Sequence, residues 1–186
     1  MKKIFAILAV AVAGSAFAAD SFTIEGQHIN NNGAAAQGQS VLGIKKDITS
    51  VFAGDLAFSN AQTEGTNTLS TRLEAGVTGT MPLVDGINGY TRVALGQKYT
   101  NTTNFTYYSV EPGVTAAVPG VAGLTAKVGY RWRSADDAGA YNDQTHTVRA
   151  GLSYALTKVD SVGVRYDRVK GDNDQKVWAV SYTRGF

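Results

Sequence analysis

Leu124, Ala126, Val128, Tyr130 and Trp132 alternate with Thr125, Lys127, Gly129, Arg131 and Arg133. A period of two puts these sets on opposite faces of a β-strand. The same alternation runs along most of the chain. Leu69, Thr71, Leu73, Ala75, Val77, Gly79 and Met81 oppose Ser70, Arg72, Glu74, Gly76, Thr78 and Thr80. Tyr108, Val110, Val114 and Val118 oppose Ser109, Glu111, Gly113 and Thr115. His146, Val148, Ala150, Leu152 and Tyr154 oppose Thr147, Arg149, Gly151 and Ser153. Val162, Val164 and Tyr166 oppose Gly163, Arg165 and Asp167, and Trp178, Val180 and Tyr182 oppose Ala179 and Ser181. Fainter runs surround Phe22, Gln39, Phe52 and Thr91. The pattern predicts ten strands, from 21–29 to 176–186. Eight is the alternative, if the regions of Gln39 and Val51 form no separate strands.

The breaks between runs are of two kinds. Short ones fall near Asp47, at 82–86, at Pro119-Gly120 and at 158–160. Longer polar ones fall at 30–38, 60–68, 100–104, 134–143 and 170–174. Short turns at one end and longer loops at the other suit an up-and-down meander. Gly76, Gly113 and Gly151 recur in similar contexts, as though one hairpin were the repeating unit.

Alternation alone suits a secreted soluble sandwich or a lipocalin-like barrel equally well. Charge decides which face is inside. Opposite the apolar faces lie Glu25, Asp55, Arg72, Glu74, Arg92, Lys98, Glu111, Lys127, Arg131, Arg149, Arg165 and Asp167, in strand centres as well as at strand ends. A wet lumen holds such groups, whereas a dry core does not, because an unpaired buried charge costs several kcal/mol. The apolar faces end in aromatics. Phe58, Tyr99, Tyr108, Trp132, Tyr166 and Trp178 fall towards one edge, and Phe22, Phe52, Tyr154 and Phe186 towards the other. Two aromatic belts around an aliphatic band mark a wall that faces lipid. The reading is an all-β, transmembrane, up-and-down antiparallel β-barrel with both termini in the periplasm.

The N-terminus agrees with export. Lys2 and Lys3 precede an apolar stretch, and Ala16-Phe17-Ala18 supplies small residues for cleavage. The expected division is a signal peptide over 1–18 and a barrel domain over 19–186. The stretch is too short to span a bilayer, which takes roughly twenty residues. The formal charge of +2 resides in the two signal lysines. No basic excess remains for nucleic acid. With no cysteine, stability rests on packing and hydrogen bonds.

Trp178, Val180, Tyr182 and Phe186 form an alternating final strand that stops on phenylalanine. In this the chain resembles the outer-membrane β-barrels of Gram-negative bacteria. The resemblance implies outer-membrane lipid and the barrel assembly machinery as partners, with these four residues as the assembly signal. Arg184 departs from the pattern, which usually has an apolar residue there.

Candidate chemistry lies in the lumen. Arg72, Arg92, Lys127, Arg131, Arg149 and Arg165 form a possible anion track, with Arg133 at its mouth. Glu25, Asp55, Glu74, Glu111 and Asp167 are able to neutralise most of it and plug the barrel. Inward glycines at 76, 96, 113, 129, 151 and 163 are expected to leave room for a narrow wet path. The lumen-lining candidates are therefore Arg72, Glu74, Arg92, Glu111, Lys127, Arg131, Arg149, Arg165 and Asp167. His28 and His146, at the outer edge, lack the spacing of a catalytic pair. Residues 170–175 lack the ligand series of a calcium loop. No cofactor or metal is expected. The first functional reading is a porin-like channel for small solutes, with anions favoured. The alternatives are a closed structural or docking barrel and, more remotely, an envelope hydrolase.

Overall fold

The computed structural model describes residues 20–66, 68–137, 140–141 and 143–186; the expected signal segment lies outside them. Ten strands follow one another: β1 (Ser21–Asn31), β2 (Gln37–Asp47), β3 (Phe52–Thr63), β4 (Leu69–Val84), β5 (Ile87–Tyr99), β6 (Asn104–Ala117), β7 (Leu124–Ala135), β8 (Thr145–Ala155), β9 (Asp160–Gly171) and β10 (Gln175–Gly185). Each pairs antiparallel with its neighbours, and β1 pairs with β10 to close the barrel. The closing register runs from Ser21↔Gly185 to Asn31↔Gln175. Closure leaves no sheet edge, so the ladders satisfy the backbone without water. Among the described residues no helix is long and apolar enough to cross a membrane; a closed barrel is the form in which strands can span one.

The two faces are inverted relative to a soluble protein. Leu95 and Val180 are 64% exposed on the outer wall, whereas Glu111 and Asp167 are 2% and 3% exposed inside. This outer surface is an aliphatic band with tyrosine, tryptophan and phenylalanine towards its edges. Roughly 25 cal/mol per Å² of such surface is gained when it leaves water, so lipid is its solvent.

The eight-strand alternative is overturned: 37–47 and 52–63 are separate strands, paired from Gln37↔Thr63 to Asp47↔Ala53. The connections opposite the termini are shorter than the polar runs suggest. Asn30 and Asn31 pair with Lys176 and Gln175, and Gln37 pairs with Thr63. Polarity here reflects strands that continue beyond the apolar band. The longest connection is 136–144, between β7 and β8. Pro112, which has no N–H, interrupts the β6–β7 ladder between Val110↔Trp132 and Gly113↔Gly129.

Candidate functional site

The strand parity read from the sequence turns all nine lumen candidates inward. Arg72, Glu74, Arg92, Glu111, Lys127, Arg131, Arg149, Arg165 and Asp167 line one cavity of about 330 Å³. A second, of about 230 Å³, lies towards the end that carries the termini and is lined by Thr115, Thr125, Ser153 and Ser181. Glu25, Glu111, Lys127, Arg149 and Arg165 border both cavities.

Those shared residues form an ion-paired layer across the lumen. Arg165 bridges Glu25 (2.7 Å) and Asp167 (3.0 Å). Arg149 bridges Glu111 (2.7 Å) and Asp167 (3.4 Å). Glu111 also accepts a hydrogen bond from the Tyr90 hydroxyl (3.1 Å). Lys127 lies 3.9 Å from Glu111 and 4.2 Å from the centre of the Tyr90 ring. On the adjoining strands β3 to β5, Arg92 contacts both oxygens of Asp55 and also reaches Glu74 (2.6 Å). The other Glu74 oxygen accepts from the Tyr107 hydroxyl (2.9 Å). Planar, forked guanidinium groups suit such bridging, since each presents several donors to two carboxylates at once.

Tyr90 and Tyr107 correct the expectation that the inward glycines leave open space. A Cβ at Gly96 would overlap the Tyr107 ring, and one at Gly113 or Gly129 would overlap Tyr90. At Gly76 it would strike the Arg92 guanidinium. These glycines are sockets for side chains that lean over them from the neighbouring strand or, for Gly129, from the one beyond it. Gly151 and Gly163 instead border the second cavity. The parity of Glu111 extended back to Phe105 and Tyr107, and that of Arg92 back to Tyr90, carried the signal for these inward aromatics.

At the mouth opposite the termini, the connection 136–144 sends two residues inward. Asp143 is fully buried and binds Arg133 (2.7 Å), with Lys98 3.5 Å away. Tyr141 stacks on Phe105 with ring centres 4.8 Å apart. Sequence alternation has no purchase on a loop, so neither contact was legible there.

Two inward cations stand apart. Among the described residues Arg72 and Arg131 form no ion pair, although both line the larger cavity. The Nε of Arg131 is buried with no hydrogen-bond partner. They complete an arginine-rich wall that the acids balance only in part.

Both histidines lie on the outer wall. His146 meets the Tyr130 hydroxyl at 2.7 Å, and His28 stands opposite Trp178 in the β1–β10 register. Among the described residues neither has an acid within ion-pairing distance. Among the described residues no group of His, Asp and Glu is arranged to hold a metal ion.

A closed antiparallel barrel with an apolar exterior and a charged interior is an outer-membrane β-barrel, and its solvent is the outer-membrane bilayer. Similar solved structures include the NanC porin (TM-score 0.62, 10% identity, 89% of this chain and 100% of that one). Others are an outer membrane channel from Pseudomonas putida F1 (TM-score 0.56, 12% identity, 91% and 96%) and the beta domain of the Bordetella autotransporter BrkA (TM-score 0.55, 11% identity, 91% and 100%). The shared feature is the fold. No family model and no curated protein matches the sequence.

Proposed function

We propose that this porin-like barrel is a narrow channel for small solutes, with anions favoured, and that it has no catalytic role. The observation that carries the reading is the pair of unpartnered arginines, Arg72 and Arg131, on the wall of a polar cavity. An anion within about 4 Å of a guanidinium gains about 4 kcal/mol at an effective dielectric of roughly 20, offset in part by its lost hydration. The ion-paired layer of Arg149, Arg165, Glu25 and Glu111 is then the narrowest passage. Solutes pass as its bridges exchange partners. The similarity to porins supports the reading through the fold.

A second reading has its own support. The same bridges, together with the Tyr90 and Tyr107 rings, also suit a closed structural barrel. Salt-gradient measurements on Arg72→Ala and Arg131→Ala proteins in planar bilayers separate the two. A channel shows a reversal potential of anion sign, and each variant moves it towards zero. Absence of current in every protein supports the closed barrel. We further propose that residues 1–18 direct export, that both termini face the periplasm, and that Trp178, Val180, Tyr182 and Phe186 guide assembly.

A further inference from the structure

The outward side chains near the ends opposite the termini are unevenly charged. On β2 to β6 they include Ser40, Asn60, Thr71, Gln97 and Thr106, all uncharged. On β9 and β10 they include Arg168, Lys170 and Lys176. The strand register places Lys176 opposite Arg168, and the next outward pair is Trp178 opposite Tyr166. Those two rings lie 4.8 Å apart, and Trp178 is 61% exposed. A cationic pair therefore sits directly above an aromatic pair on one arc of the wall.

Nearby acids balance this arc only in part: Arg168, Lys170 and Lys176 face Asp172 and Asp174, which leaves one net positive charge. Asp174 pairs with both Arg168 and Lys170. Lys176 has no ion-pair partner among the described residues. Asp172 accepts a hydrogen bond from the Gln144 amide (2.7 Å). Aromatic rings of this kind settle at the boundary between acyl chains and headgroups. The cations one step further out then stand at headgroup level, where Arg and Lys bind phosphate with charge-assisted hydrogen bonds.

We propose that the β9–β10 arc is a docking site for a phosphorylated, multiply acylated glycolipid of the outer leaflet. Its phosphate is held by Lys176, Arg168 and Lys170, and an acyl chain lies against Trp178 and Tyr166. The proposal rests on the orientation given above and is independent of whether the lumen conducts. Charge complementarity selects the phosphate, and the rings beneath select a lipid over a free ion.

The test uses protein purified from outer membranes in a neutral detergent. The temperature at which the folded gel band is lost is measured with and without bisphosphorylated lipid A. The expected result is a rise of several degrees for the native protein. Dephosphorylated lipid A, phosphatidylglycerol and inorganic phosphate should give little or none. The rise should shrink in K176Q and vanish in R168Q/K170Q/K176Q; K46Q, on the outer wall at the other end, should keep it. An undiminished rise in K176Q, or an equal rise with dephosphorylated lipid A or phosphatidylglycerol, would overturn the proposal.

Discussion

Tyr90 shows how far a single side chain organises the lumen. Its ring fills the space over Gly113 and Gly129, and its hydroxyl donates to Glu111. A methyl group at Gly113 would also meet the carbonyl oxygen of Val128, which belongs to the neighbouring strand and has little freedom to move. Gly113→Ala should therefore lower stability by about 1–3 kcal/mol, the usual cost of overpacking. Gly26 faces outward with nothing within 4 Å, so Gly26→Ala should stay within about 0.5 kcal/mol of the native protein. Urea unfolding in detergent measures both. Glu111→Ala removes the nearest counter-charge of Arg149, which keeps Asp167 at 3.4 Å, and leaves the Tyr90 hydroxyl without its acceptor; it should cost about 1–3 kcal/mol, the usual penalty for a buried polar group left unsatisfied. The sequence made the inward parity of Glu111, Arg149 and Tyr90 legible, since parity is local. Their meeting was not legible, because it depends on how neighbouring strands are staggered around the barrel.

Among the elements, the strands were readable and their connections were not. Period-two alternation located all ten strands. It misjudged their ends because Asn30, Asn31 and Gln37 remain paired beyond the apolar band. The connection 136–144 has no period to read, yet it delivers Asp143 to Arg133 and Lys98. Asp143→Asn should leave those two cations uncompensated and raise anion selectivity at the mouth, read as a larger reversal potential in a fixed salt gradient.

The β9–β10 connection carries a pH response. The hydrogen bond from Lys170, and then the paired Arg168, hold Asp174 below the ordinary carboxylate value of 3.8. A carboxylate lowered on folding contributes its full stabilisation above that ordinary value. It loses the contribution as the pH falls further, through the lowered value. Amide protection in this hairpin should therefore weaken below pH 3.8, and Asp174→Asn should abolish the dependence. Hydrogen exchange corrected for intrinsic rates checks both.

For the whole molecule, the decisive property is the inversion of polarity, which was visible in the sequence as charges opposite most of the apolar faces. Lumen width was not visible, since it depends on whether glycine sockets are filled by large side chains of nearby strands. On the proposed function, the interior is a wet, net-positive path narrowed by exchanging ion pairs. Its selectivity should fall as salt rises, because screening shortens from about 10 Å at 0.1 M to about 3 Å at 1 M.

The most direct measurement is single-channel recording of the purified protein in a planar bilayer under a potassium chloride gradient. An anion-favouring channel shows discrete current steps that reverse at a potential of chloride sign, with that potential smaller at high salt. A silent bilayer, or reversal at the potassium side, would contradict the proposed function.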